Sequence, residues 1–313
     1  MTTGRAFGID IESTFDIPCV PRVARNGSVR THVELAARDD LERMWTSRNA
    51  EMLIDRRLAN GRRLMTIERD PARGYRIWAS RFGHHIVSED GLHISSALPP
   101  VAPWRWQRLL FAQVLPLAAA LRGLDPFHAS GIAMNGQAFA FAAVSGSGKT
   151  SVAAHLVAEG AGFMTDDVLS LEWDGNDVIA HPGPAMTSVA PAELAAMKQA
   201  GRGRLGSSIG RELGKKHLRP PVVGEPHPLA AFIVLSRERD GKLRLERVLN
   251  PEPRLLLSSS FITYVRSSDH LVTHLDTCAR IAETVPIYQL RVPTDVSAQG
   301  AARFFQEQIE DLQ

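Results

Sequence analysis

The period of the apolar positions changes several times along this chain, and each change marks an element. Phe7-Gly-Ile-Asp-Ile-Glu-Ser13 alternates apolar and polar residues, as a half-buried strand does. Leu64-Met-Thr-Ile67, Tyr75-Arg-Ile-Trp78 and His85-Ile-Val-Ser88 are further short strands, divided by turn residues at Asp70-Pro71 and Asp90-Gly91. Together they predict a small, mainly β domain over residues 1–100, ending in the stiff connector Leu98-Pro-Pro-Val-Ala-Pro103. From Trp104 the spacing turns helical, with Trp106, Leu109, Leu110, Val114, Leu117 and Leu121 on one stripe and Gly123 as the stop.

This helix opens a second domain, residues 101–313, in which strands and helices alternate. Phe127–Met134 and Gln137–Val144 read as two strands joined by Asn135-Gly136, a strong hairpin signal. Ser151–Glu159 reads as helix, and Gly162–Trp173 as two strands meeting at Asp166-Asp167. A turn at Asp174–Asp177 and a short helix over Pro191–Ala200 follow. Leu229–Ser236 and Leu243–Leu249 predict a hairpin across Arg239-Asp240-Gly241. The tail predicts helices near 253–265 and 269–283, a strand at Ile287–Val292 and a last helix from Ser297. The fold class expected is α/β.

Composition narrows the partners. The chain has 313 residues, 44% of them hydrophobic and 22% charged, as in a soluble globular protein. A formal net charge of +2 excludes nucleic-acid binding by bulk charge. The longest apolar run, Leu109–Leu121, is interrupted by Gln113 and Pro116 and is too short to cross a bilayer. Met1–Asp10 lacks the apolar core of a secretion signal, and the two cysteines, Cys19 and Cys278, suit reduced thiols. A cytoplasmic protein acting neither on membranes nor on nucleic acid is expected.

The candidate chemistry centres on Ala143-Val-Ser-Gly-Ser-Gly-Lys-Thr150, set between an apolar strand and a helix. A glycine-rich turn there aims backbone N–H groups and the positive end of the helix dipole at one anion. Ser145, Gly146, Ser147, Gly148, Lys149, Thr150 and Ser151 are expected to hold a nucleotide, ATP, with Lys149 on the β/γ-phosphates and the Thr150 hydroxyl on Mg²⁺. Asp166 and Asp167, close downstream at a strand end, can divide two tasks: one carboxylate supports the metal and the other takes a proton from an attacking hydroxyl. His128 starts the strand whose partner leads into the loop, so pairing can bring it to the phosphates or the aspartates.

Two other groupings stand out. Gly201–Arg219 combines many glycines with many cations, including Lys215, Lys216 and Arg219; it can close over phosphates, hold an acidic peptide, or remain a solvated loop. His270 and His274 lie one helical turn apart, but no third ligand accompanies them, so they read as a helix-surface pair.

Phe127-His-Ala-Ser-Gly-Ile-Ala, the hairpin, Ser-Gly-Ser-Gly-Lys-Thr and Gly-Phe-Met-Thr-Asp-Asp-Val-Leu-Ser-Leu together resemble the catalytic core of the HPr serine kinase/phosphorylase family. The resemblance covers about Phe127–Trp173. It implies a P-loop mixed sheet of the HPr kinase/phosphoenolpyruvate carboxykinase type. It further implies Lys149 on phosphate, Thr150 and Asp167 at Mg²⁺, and Asp166, Asp167, His128 and Lys149 as catalytic residues. The family's usual N-terminal domain and glycine-rich signature loop are not recognisable, and Ala6–Ser13 instead resembles the opening of uncharacterised HPr-kinase-like proteins. Similar divergent kinases accompany modified-peptide pathways, lasso peptides among them, which implies a serine of a peptide or protein as acceptor. The related kinases assemble as hexamers, so the resemblance extends to a homo-oligomer. The competing functions are a small-molecule kinase on the same core and a nucleotide-binding regulatory module that transfers nothing.

Overall fold

The computed structural model describes residues 1–24, 27–144, 146–199, 205–265 and 268–310, and the chain divides into two compact units. Met1–Leu124 with Ile262–Val265 forms the first, and Asp125–Phe261 with 266–313 the second.

The first unit is built on one eight-stranded sheet. Its elements are β1 (Thr2–Ala6), β2 (Ile9–Ser13), β3 (Arg30–Leu35), α1 (Arg38–Met44), β4 (Glu51–Arg57), β5 (Arg63–Asp70), β6 (Gly74–Ala79), β7 (Gly83–Val87) and β8 (His93–Ala97). The strand order is β1-β2-β3-β8-β7-β6-β5-β4. The expected opening strand is in fact the second arm of a hairpin, since Phe7 and Gly8 take positive φ and turn β1 back onto β2. The helical stretch is α2 (Pro103–Leu109), a π-helical turn over Leu110–Val114, and α3 (Leu115–Leu121). The π turn comes just before Pro116, which has no N–H for the ladder.

This helix belongs to the first unit, so that unit runs past the expected break near residue 100. Side-chain bonds explain why: Gln107 Oε1 accepts the Cys19 amide at 2.9 Å, and Arg122 Nη1 donates to Thr31 Oγ1 at 3.1 Å. Trp106, 6% exposed, also meets Phe15 edge-on at 5.8 Å.

The second unit holds a nine-stranded mixed sheet and a three-stranded one. Its elements are β9 (Asp125–Phe127), β10 (Ala129–Met134), β11 (Gln137–Ala143), α4 (Lys149–Glu159), β12 (Gly162–Thr165), β13 (Leu169–Asp174), β14 (Asp177–His181), β15 (Thr187–Val189) and α5 (Pro191–Gln199). There follow β16 (Ser207–Glu212), β17 (Lys215–Arg219), β18 (His227–Glu238), β19 (Arg244–Arg247), α6 (Pro253–Leu257), α7 (Ser268–Thr284), β20 (Ile287–Pro293) and α8 (Ala298–Glu310). The main sheet runs β12-β10-β11-β18-β14-β13-β9, and β20 joins β18 to β19.

Three expectations change here. The single strand expected over Phe127–Met134 breaks at His128, with β9 pairing to β13 and β10 to β11 and β12. The hairpin expected between β18 and β19 does not form, because β20 inserts between them, parallel to β18 and antiparallel to β19. Ile287, Leu290 and Val292 of β20 are buried, whereas Arg244, Glu246 and Arg247 make β19 a polar edge. From Ser207, the basic segment is the hairpin β16–β17 rather than a loop, turning at Leu213 and Gly214, both at positive φ; its first residues lie outside those described.

β11 carries the core on both faces. Phe139 and Phe141 enter one apolar cluster with α4 and α8, while Ala138, Ala140 and Ala142 enter another with α7. Phe305 of α8 meets Phe141 edge-on at 4.9 Å. A strand covered on both faces needs an apolar run rather than alternation, as its sequence shows.

Candidate functional site

The site forms where β11 gives way to α4. Gly146 and Gly148 sit at φ 88° and 99°, a region that side chains disfavour, and the curled backbone leads directly into the helix. The first residues of α4, Lys149, Thr150 and Ser151, have no carbonyl one turn back inside the helix. Their amides and the helix dipole therefore suit an anion. Ser145 lies outside the described residues.

Each reactive side chain of the loop meets one member of the aspartate pair. Lys149 is 8% exposed, and its Nζ lies 2.8 Å from Asp167 Oδ1. The Thr150 hydroxyl donates to Asp166 Oδ1 at 2.9 Å. The expected metal pair, Thr150 with Asp167, is thus not the pair the fold brings together; Thr150 is placed on Asp166. The backbone explains the division. Asp167 adopts φ 65°, a left-handed turn that breaks the extended course of the chain between the two carboxylates. The turn is fixed by Val168 N–H to Asp166 O at 2.8 Å and Thr165 Oγ1 to Val168 O at 2.7 Å.

The two carboxylates have opposite surroundings. Asp166 accepts from Ser130 Oγ, Thr150 Oγ1 and the Asp167 amide on Oδ1, each at 2.9 Å, and from Thr187 Oγ1 on Oδ2 at 2.8 Å. Burial, and then the neighbouring Asp167 charge, push its carboxyl above the usual range despite these donors. The Asp167 side chain is 63% exposed. Desolvation works upward on it too, but the charge and hydrogen bond of Lys149, with Lys215 helping, hold its carboxyl below the usual range.

His128 lies beside this pair, at the break between β9 and β10. Its Nδ1 is 2.9 Å from the Asp167 carbonyl, which can only accept, so Nδ1 carries the ring proton. Burial, and then the Lys149 charge, lower its proton affinity, which leaves the neutral ring with Nε2 as a lone-pair site. Its own amide donates to Ser259 O at 2.6 Å, and the ring stacks on Phe261 at 5.7 Å.

Several contributors had no sequence motif of their own. Thr187 reaches Asp166 from β15. Glu193 of α5 accepts from Ser151 Oγ at 3.0 Å. Arg237, at the end of β18, donates to the carbonyls of Ser147, Pro293 and Val296 at 3.1, 3.2 and 2.7 Å, bracing the loop from below. A Cβ on Gly148 would come within 3.3 Å of Arg237 Nη2. From the described part of the basic segment, the charge of Lys215 reaches Asp167. No group of three or more metal-ligand side chains occurs among the described residues. None of their helices is long and apolar enough to cross a membrane.

No protein-family model matches the chain, and no curated protein resembles it significantly in sequence. Among solved structures, the Hpr(Ser) kinase/phosphatase from Coxiella burnetii is similar over 60% of this chain and 95% of that chain, at 12% identity and a TM-score of 0.33. So loose a likeness decides nothing, and the function rests on the side chains themselves.

Proposed function

We propose that the chain is a Mg·ATP-dependent phosphotransferase acting on a hydroxyl, namely a serine of a peptide or protein. One observation carries the reading: Lys149 and Thr150 of a phosphate loop each meet a different member of the Asp166-Asp167 pair. A module that only binds nucleotide needs the loop but not a second, exposed carboxylate beside it. The serine acceptor rests on the resemblance of Phe127–Trp173 to HPr-kinase cores. Gly146 and Gly148 at positive φ, the Thr150 hydroxyl against a carboxylate and the buried Lys149 fit the phosphates and the metal.

Bound Mg·ATP would supply the electrophilic phosphoryl group and the cation that offsets its charge. On this reading Thr150 and Asp166 hold the metal side, and Lys149 and the loop amides hold the phosphates. Lys149 would then divide its charge between phosphate and Asp167. Its pull on Asp167 would weaken, and the proton affinity of that exposed carboxylate would rise. Asp167 takes the hydroxyl proton, and His128 fixes the Asp167 carbonyl.

Calorimetric titration with Mg·ATP tests the first half. Lys149→Ala should weaken binding by about 10- to 100-fold, as expected for losing a hydrogen bond to a charged group. Mass spectrometry after incubation with serine peptides tests the second. Unmodified peptides and proteins alongside intact nucleotide binding would leave a binding module, and phosphorylation of small hydroxy compounds alone would leave a small-molecule kinase.

A further inference from the structure

Another cluster in the second unit has the chemistry of an activated hydroxyl. Asp125, its side chain 8% exposed, places Oδ1 3.0 Å from His274 Nδ1 on α7. The other ring nitrogen, Nε2, meets Ser260 Oγ at 2.5 Å. His274 was expected on a helix surface, yet its side chain is only 13% exposed. Phe127 lies 5.5 Å from its ring, and His270 stacks on it at 6.2 Å. An ionised carboxylate only accepts, so Nδ1 carries the proton and Nε2 presents its lone pair to the Ser260 O–H. Carboxylate, imidazole and hydroxyl in this order activate an oxygen nucleophile. Cys278 Sγ is also 3.8 Å from Nε2. That thiol is fully buried, and burial pushes it up to about 12, so it stays neutral and does not compete.

The neighbouring serines provide an internal comparison. Ser258 is more exposed than Ser260, but its hydroxyl donates to Leu255 O at 2.7 Å; Ser259 is buried. The amides of Ser258, Ser259, Ser260 and Phe261 donate to the carbonyls of Arg254, Leu256, Leu257 and Pro126. None of the four is left to stabilise the oxyanion that acyl-transfer turnover requires. The cluster therefore suits a single transfer onto Ser260 rather than a hydrolase cycle.

We propose that Ser260 is an activated acceptor for electrophilic phosphorus, a phosphoryl or phosphonyl ester or halide, with His274 as base and Asp125 orienting it. The Oγ–P bond forms as the bond from phosphorus to its leaving group breaks. The leaving group departs with the electron pair, and the serine proton passes to Nε2, where Asp125 stabilises the imidazolium. The adduct costs Ser260 the hydrogen it shares with His274. Ser260 sits between Ser259, whose carbonyl holds the His128 amide, and Phe261, whose ring stacks on His128. Modification thus bears on the segment that holds His128 beside Asp167.

The test is to treat the full chain with an alkyl fluorophosphonate, from which fluoride leaves, and map the adduct by peptide mass spectrometry. The adduct is expected on Ser260 in preference to Ser258. Ser260→Ala should abolish it and Ser258→Ala should leave it unchanged. His274→Asn should slow labelling by about 100-fold or more, the scale of general-base assistance, and Asp125→Asn should slow it less. No adduct, an adduct on Ser258, or an unchanged rate in a folded His274→Asn variant overturns the proposal. Should that variant not fold, the two serine variants decide. Nucleotide binding is read separately by calorimetry, so this outcome is independent of the kinase reading.

Discussion

At the scale of single residues, the aspartate pair shows how adjacent identical side chains come to differ. Asp166 is enclosed by three hydroxyls and an amide, whereas Asp167 is exposed on a left-handed turn and tied to Lys149. Removing them should separate stability from chemistry. Asp166→Ala leaves the buried Ser130 and Thr187 hydroxyls without their acceptor, at a cost of about 1–3 kcal/mol for each group left unpaired. Asp167→Asn removes the counter-charge of the buried Lys149 but leaves an amide oxygen to accept from its Nζ, a smaller loss than two orphaned hydroxyls. Thermal melts should show a larger fall for the first variant than for the second, while the proposed phosphoryl transfer is lost in both. Thr187→Val gives a signed pH test. Burial and the Asp167 charge raise the Asp166 pKa, and the Thr187 hydrogen bond opposes them. Without that bond the pKa rises further, so the acidic limb of the transfer-rate profile should move to higher pH. A limb that stays in place would remove Asp166 from the rate profile.

At the scale of elements, local signals and partner choice separate. The β10–β11 hairpin follows from Asn135 at φ 51° and Gly136 at φ 76° between apolar runs. Gly136→Ala keeps the space, since nothing lies within 4 Å of the added carbon, but forces a side chain into the left-handed region. A loss of about 1 kcal/mol is expected in denaturant unfolding, with the midpoint shifted and the slope unchanged. The β18–β19 segment shows the opposite case. Two strands and a turn predict a hairpin, but the better-buried β20 takes the place beside β18. Partner choice depends on a strand some forty residues further on. No local pattern reports it.

At the scale of the whole molecule, the first unit carries a pH liability of its own. His85 is fully buried on β7, with Nδ1 2.9 Å from Ser96 Oγ and Nε2 without a partner among the described residues. Burial, with a smaller push from His84, lowers its pKa to about 3. The unfolded chain binds that proton near pH 6.5 and the native one does not. Stability is therefore full above about 6.5 and falls as pH drops toward 3, by up to about 1.4 kcal/mol per pH unit. His84, also lowered by burial, adds in the same direction. Unfolding followed by circular dichroism should show this loss, and His85→Gln should flatten it. An equal slope in that variant would place the acid sensitivity elsewhere.

The α/β character, the glycine-rich turn leading into α4, the Asp166-Asp167 strand end and the Asn135-Gly136 turn were legible in the sequence, because each depends on residues within a few positions of one another. Backbone conformation, periodicity and a loop feeding a helix are short-range properties. What needed the fold was every contact between distant positions. These include Thr150 on Asp166 rather than Asp167, Thr187 at Asp166, Arg237 at the loop, and β20 between β18 and β19. They also include Asp125, Ser260 and His274, which lie far apart in the chain and look ordinary in it. Such contacts depend on which apolar faces are buried together, and burial is a property of the whole packed molecule rather than of any stretch of it.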